Sequence, residues 1–217
     1  MLVTRTFKRL AVAAFLLIGG FGLRAETLTF ADHNFSIEVP THWSSGKPQP
    51  PMIAAYQSAD GTKGLMVTAA KLPENERARA SGDTQTGMKK GLTDNGWTIE
   101  SERDGMIGSL PSRVIKARRP SPDSSISVYL TIAGDELYAL SFTFGSGISV
   151  DDAEAKSIVQ SFKLLKPAVV QPMTTETTEP PSTAYRIGYT LGRIGIFLVV
   201  PVVLLSVWIV SRALERR

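Results

Sequence analysis

The chain has no cysteine among its 217 residues and only two histidines. The first absence excludes disulfides, thiolate metal sites, a cysteine nucleophile and a lipid-modified cysteine. The second leaves His33 and His42 as the only imidazoles, nine residues apart around one short strand and without metal-ligand spacing. With Asp32 they could bind a metal only if the fold gathered them, and two loop histidines are the plainer reading. No nucleophile-elbow or phosphate-loop motif occurs, and "GSG" at 145–147 reads as a strand-to-helix turn. No cofactor is implied.

Acidic residues are nearly missing from both ends. Residues 1–25 and 186–217 together hold nine Lys or Arg and one acid, which leaves 15 basic and 19 acidic groups in residues 26–185. The overall charge of +4 is therefore a property of the termini, and the middle has no electrostatic support for nucleic-acid binding.

Long apolar runs are also confined to the ends. After a basic start (Arg5, Lys8, Arg9) comes "LAVAAFLLIGGFG", then Ala25. Thirteen helical residues span about 20 Å, short of a bilayer core of about 30 Å, so residues 1–25 are expected to be an export signal cleaved after Ala25. Leu23 stands where a small residue is preferred. Near the other end, the eighteen residues from Ile194 to Ser211 carry no charge and would reach about 27 Å as a helix. Residues 186–212 are thus expected to form a transmembrane segment with its flanks, contacting the lipid bilayer from Ile194 to Ser211. Tyr185, Tyr189 and Trp208 sit at headgroup depth, and 213–217 form a basic cytoplasmic tail. The expected location is the cell membrane, single-pass, with the domain periplasmic or otherwise extracytoplasmic. Between domain and span, residues 166–185 are rich in Pro and Thr and read as an extended linker.

Residues 26–165 alternate like strands: "TLTF", "FSIEV", "MIAAYQS", "GLMVTAAKL", "WTIESERDGMI" and "SRVIKARR". "ISVYLTIA" and "ELYALSFTF" flank Gly134-Asp135, which suits a two-residue type II′ hairpin. That register sets Ile132 against Leu137 and Leu130 against Ala139 on one face, with Tyr129 against Leu140 and Ser127 against Phe142 on the other. Both faces are apolar, so either the hairpin is covered twice or the side bearing Tyr129, Tyr138, Phe142 and Phe144 is an interaction surface. Two helices are expected. One is capped by Asp83, carries Met88 and Leu92, and ends at Asn95-Gly96, weakened by Gly87 and Gly91; the other starts at Ser149 with Asp152 three residues on.

Smaller features each have two readings. Asp151, Asp152 and Glu154 are helix-capping acids or a calcium site. "KARRP" at 116–120 is a solvated strand edge, or Arg118 and Arg119 meet a partner's acidic patch. "NFS" at 34–36 fits a glycosylation acceptor, and "GYTLG" at 188–192 has the spacing of a close-packing helix motif, hence a candidate homodimer contact.

The stretch "FSIEVPTHW" closes a strand at Pro40 and places Trp43 three residues on, where the ring either packs on the sheet edge or docks a partner. Together with the middle helix, "GSLPSRVI" before the long strands, and a last helix ending in Ser161-Phe162, it resembles the PsbP/DcrB family over about residues 28–165. The resemblance implies an α+β fold: an antiparallel sheet flanked by two helices, to which the sequence adds one C-terminal transmembrane helix. It also implies non-catalytic work, since relatives include a photosynthetic oxygen-evolving subunit, envelope lipoproteins and a Ran-binding protein. The expectation is a membrane-anchored envelope interaction or assembly module with a protein partner and no enzymatic activity. The alternatives are a small-ligand or metal sensor and a tethered enzyme with a scattered site. Candidate surface residues are Trp43, Tyr129, Tyr138, Phe142, Phe144, Arg118 and Arg119.

Overall fold

The computed structural model describes residues 24–121, 123–172 and 182–194. The chain runs β1 Ala25–Phe30, β2 Phe35–Pro40, β3 Ser44–Ser45, β4 Met52–Gln57, β5 Lys63–Lys71, α1 Arg77–Asp94, β6 Thr98–Ile107, β7 Leu110–Pro120, β8 Asp123–Ala133, β9 Glu136–Gly145, α2 Ala153–Ser161, β10 Lys163–Leu164 and α3 Thr183–Ile194. Seven strands form one antiparallel sheet in the order β3-β4-β5-β9-β8-β7-β6, and β1-β2-β10 form a second, smaller one.

The β8–β9 hairpin organises the large sheet. Its register is the one read from sequence, with Ile132 opposite Leu137, Leu130 opposite Ala139, Tyr129 opposite Leu140 and Ser127 opposite Phe142. Gly134 turns it with φ of +65°, while Asp135 keeps a negative φ, as a type II′ turn requires. The period of two then sorts the side chains into separate cores. Tyr129, Tyr138, Leu140, Phe142 and Phe144 join Phe35, Ile37 and Val39 of β2 and Ile158, Val159 and Phe162 around α2. On the opposite face Leu130, Ile132, Leu137 and Ala139 pack with Met88 and Leu92 of α1 and with Ala184 and Leu191 of α3. The large sheet is thus a middle layer, with α1 and α3 on one side and the small sheet with α2 on the other.

This burial decides the question of the aromatic face. Tyr129 is 9% exposed, and Tyr138, Phe142 and Phe144 are 2% or less, so the four rings are core and offer no interaction surface. Trp43 is corrected in the same way. Its backbone N–H donates to the Pro40 carbonyl at 2.9 Å, which folds the chain back and buries the ring beside the β2 core.

Other expectations shift for local reasons. α1 begins six residues before Asp83, which lies inside the helix and buried. The segment Arg77–Thr86 has no apolar stripe because the face it buries is made of Ala80, Ser81, Gly82, Thr84 and Gln85. Its polar groups bond within the helix: Thr84 Oγ1 donates to the Ala80 carbonyl at 2.7 Å, and Gln85 Nε2 to Ser81 Oγ at 3.1 Å. The expected end holds, with Asn95 as C-cap and Gly96 at φ +77°. α2 starts at Asp152 instead of Ser149, because the Asp152 carboxylate accepts from the Glu154 and Ala155 N–H groups at 3.0 and 3.1 Å. "KARRP" is no sheet edge, since β6 pairs along β7 and takes the edge itself.

The linker and the helix count are corrected too. Residues 166–171 lie along the hairpin tip, where Gly134 N–H donates to the Val169 carbonyl and Gln171 N–H to the Ile132 carbonyl, at 2.8 and 3.0 Å. Residues 183–185, placed by sequence in the linker, open a third helix. No described helix is long and apolar enough to cross a membrane. The expected signal (apart from Arg24 and Ala25) and the run after Ile194, tail included, lie outside the described residues.

Two predictions follow from the core and from the β4–β5 turn. Phe142→Ala should cost about 3–5 kcal/mol of stability, read from urea denaturation, because it empties a fully buried site beside Tyr129 and Phe144. An unchanged midpoint would contradict the burial. In the turn, Ser58 Oγ donates to Asp60 Oδ1 at 2.6 Å and Thr62 N–H donates at 3.0 Å, which holds the Asp60 carboxyl at about 2. A depressed folded value stabilises above the ordinary carboxylate pKa and is lost as pH falls towards about 2. NMR titration of Ser58→Ala should move Asp60 up towards the ordinary value of 3.8.

Candidate functional site

Four glycines bring α1 and α3 together. Gly87 and Gly91 stand one turn apart on α1, and Gly188 and Gly192 one turn apart on α3. A Cβ on Gly87 would strike the Tyr185 carbonyl, one on Gly91 the Tyr189 carbonyl, one on Gly188 the Thr84 carbonyl, and one on Gly192 the Met88 carbonyl, each closer than 3.0 Å. Only hydrogen fits between the two backbones. Each glycine costs about 1 kcal/mol of helix propensity against alanine, and close backbone packing is the return.

The direction of the pair is fixed by contacts along its length. Thr183 N–H donates to Glu76 Oε2 at 2.8 Å, Gly188 meets Thr84, and Gly192 meets Met88 and Leu92. Both numbers rise together, so the helices run parallel, from the β8–β9 tip towards the β7–β8 turn. On the outer side the Tyr185 and Tyr189 rings stack at 6.4 Å, Tyr189 Oη donates to Asp94 Oδ2 at 3.1 Å, and the Arg193 guanidinium lies 5.7 Å from the Tyr189 ring. Lys90 Nζ bonds Asp94 at 3.0 Å, and this hydrogen bond leads the causes that hold the Asp94 carboxyl below its ordinary value.

The close-packing motif read as a homodimer contact is therefore occupied within the chain. Gly188 and Gly192 face α1, and their surface is not available to a second copy while α3 stays docked. The signal was present in sequence on both sides, since Gly87 and Gly91 have the same spacing. On α1 alone they read as weaknesses.

Arg118 and Arg119, the charged pair proposed for a surface, do reach it at the end of β7. The Arg118 side chain is 60% exposed and pairs with Asp123 at 3.1 Å, while Ser146 Oγ donates to the other Asp123 oxygen at 2.8 Å. Arg118 also borders an open cavity of about 340 Å³ with Glu100, Asp123, Ser124 and Ser146. Lys116 of the same basic run instead turns inward, 10% exposed, and bonds Asp151 at 3.0 Å. The exposed basic stretch is thus shorter than the sequence suggested.

The acids at the start of α2 are spent on cations and caps. Asp151 meets Lys116 and Lys156, and its carboxyl is lowered first by the Lys116 hydrogen bond. Lys63 bridges Asp152 and Glu154, and Glu154 also meets His42 Nε2 at 3.1 Å. Burial opposes the Lys63 charge, but the hydrogen bonds it donates to Glu154 and Asp152 outweigh it and raise the amine. Among the described residues no group of three or more potential ligands could hold a metal. His33 lies apart from His42 and bonds the buried Glu136 through Nδ1 at 2.9 Å; Tyr138 Oη donates to the other Glu136 oxygen at 3.0 Å. Burial, then the Glu136 hydrogen bond, push the Tyr138 phenol far up. The glycosylation reading of Asn34 meets an obstacle: its amide donates to the Lys166 carbonyl at 3.0 Å and accepts from the Lys166 N–H at 2.8 Å.

A seven-stranded antiparallel sheet with a helix pair on one face and a small sheet with a helix on the other defines a mixed α+β class. Within that class the fold is PsbP-like. The solution structure of cyanobacterial PsbP (CyanoP) from Synechocystis sp. PCC 6803 is similar at a TM-score of 0.50 and 11% identity, over 67% of this chain and 96% of that chain. A crystal structure from Bacteroides thetaiotaomicron VPI-5482 is similar at a TM-score of 0.44 and 18% identity, over 61% of this chain and 46% of that one, and adds nothing to the assignment. No protein-family model and no curated protein matches the chain.

Gly188→Leu should force α3 off α1. Hydrogen exchange in Thr183–Ile194 should then rise to nearly unprotected rates, while the β8–β9 amides keep their protection. Retained protection in α3 would mean the helices are not held by this contact.

Proposed function

We propose that the chain is an exported, membrane-anchored interaction or assembly module of the cell envelope, non-catalytic, with its PsbP-like domain seated at the bilayer. The observation that carries this is the course of α3. It is packed into the domain through Gly188 and Gly192 and is described as far as Ile194, the first residue of the uncharged run to Ser211. If that run spans the membrane, the domain is clamped to its anchor by a helix and does not hang from a flexible spacer. A clamped domain presents fixed faces to neighbours in the envelope, which suits docking.

The sensor reading loses its expected site, because the aromatic face it required is buried. Support for a non-catalytic role comes from the charged groups themselves: His42, Lys63, Lys116 and the acids at the start of α2 are engaged in pairs that join strands to a helix. Such pairs stabilise placement of elements.

The cysteine-free sequence makes the test direct. Thr41→Cys in the full chain, in cells with a permeable outer envelope, should react with a membrane-impermeant maleimide before lysis, and the labelled protein should stay with membranes through alkaline washing. Labelling only after lysis, or release by the wash, would overturn the anchored, exported reading. A photo-crosslinker at exposed Arg103 of the same chain should give one discrete protein adduct; its absence would remove the docking role.

A further inference from the structure

The geometry points to a covalent cross-link that the chain makes on itself: an amide between Lys63 Nζ and Asp152 Cγ, joining β5 to the start of α2, with Glu154 as the proton carrier. The link is independent of how the chain meets a membrane.

The three groups converge from positions 89 residues apart. Lys63 Nζ stands 3.3 Å from Asp152 Oδ1 and 3.2 Å from Oδ2, and it also donates to Glu154 Oε2. Level with both oxygens, the nitrogen is roughly 3–3.7 Å from the carbon between them, close to the 3–3.5 Å of a near-attack contact. The side chains are largely withdrawn from water, at 14% exposure for Lys63, 20% for Asp152 and 16% for Glu154. Phe144 stands opposite Lys63 in the β5–β9 ladder, and Ile148 and Val150, just before α2, pack on the same core.

The two oxygens of Asp152 differ in a way that suits the reaction. Oδ1 accepts from the Glu154 and Ala155 N–H groups at 3.0 and 3.1 Å. Those donors stabilise the negative charge that develops on Oδ1 in the tetrahedral intermediate, and they keep Oδ1 afterwards as the amide oxygen. Among the described residues Oδ2 accepts from Lys63 alone, so it is the oxygen that leaves. Glu154 Oε2 takes one proton from the ammonium, which frees the nitrogen lone pair for attack on Cγ. That proton and a second from the nitrogen pass to Oδ2, the Cγ–Oδ2 bond breaks, and water departs. Glu154 ends as it began, its other oxygen held by His42 Nε2 at 3.1 Å. The raised Lys63 amine slows the first transfer, but each chain needs one turnover only. A fixed pair also reacts as though at an effective concentration of up to about 10⁵–10⁸ M.

Other lysine pairs meet fewer of these conditions. Lys90 reaches both oxygens of Asp94, but both residues are exposed and the third member of that group is the Tyr189 phenol. Lys116 reaches one oxygen of the exposed Asp151. In a chain without cysteine, the Lys63–Asp152 link does what a disulfide would: it closes a long loop and restrains the unfolded chain.

The test is mass spectrometry of the full chain, purified, incubated, denatured and digested with trypsin. The peptides carrying Lys63 and Asp152 are expected as one linked species, lighter than their sum by one water and uncut after Lys63. Lys63→Arg keeps a cation beside the two acids and should give separate peptides. Glu154→Gln should form the link at least about tenfold more slowly. Circular dichroism of both variants should match wild type, and linked wild type should melt about 10 °C or more above Lys63→Arg. Separate peptides from fully incubated wild type would overturn the inference whatever the variants do. A link from Lys63 to Glu154 would overturn the choice of Asp152, and an undiminished rate in Glu154→Gln would remove the proton carrier.

Discussion

A hairpin that is apolar on both faces must be covered twice, and the rest of the molecule is arranged around that demand. β8 and β9 put Tyr129, Leu140 and Phe142 on one side and Leu130, Ile132 and Leu137 on the other. The first face is met by β2, α2 and their aromatics, with Phe35 stacked on Phe162 at 5.1 Å. The second is met by α1, whose apolar stripe is short. Met88 and Leu92 cover part of the sheet, and Ala184 and Leu191 of α3 complete the cluster. The segment that leads towards the uncharged run is therefore part of the fold's own core.

That sharing has a consequence for the glycines. A larger residue at Gly87 or Gly91 would improve α1 as an isolated helix and hold α3 away from the sheet, leaving Ala184 and Leu191 unable to reach their cluster. The low propensity of α1 and the docking of α3 are thus one property seen from two sides. Gly108 shows the same trade on a smaller scale, since its φ of +54° and its contact with the Phe162 carbonyl pin the β6–β7 turn to the end of α2.

Strand pairing was legible in the sequence because period-two alternation and Gly134 together set the register of β8 and β9 residue by residue. The first half of α1 was not legible. Its buried face consists of Ala80, Ser81, Thr84 and Gln85, whose burial depends on a helix a hundred residues away and leaves no hydrophobic period. The linker reading failed at its ends for a related reason: residues 166–171 are held by backbone bonds to the hairpin tip, which composition does not register. Of the surface candidates, the aromatic rings were drawn into the core by the same two-faced hairpin, and only Arg118 and Arg119 reach solvent. Their setting at the end of α1 depends on the β6–β7 pairing.

The parallel course of α1 and α3 links these points to function. Antiparallel packing would have returned the chain towards the β8–β9 tip, on the side where the segment 166–171 already lies. Parallel packing sends it to the opposite end, where Arg118, Arg119, Lys90 and Arg193 gather. The direction is set by Thr183 reaching Glu76 at the start of α1 and by Tyr189 reaching Asp94 at its finish. A helix held at Thr183 and at Tyr189 and seated by backbone contact in between has little freedom to tilt. Any motion of α3 relative to the sheet would have to separate the four glycines and expose Ala184 and Leu191.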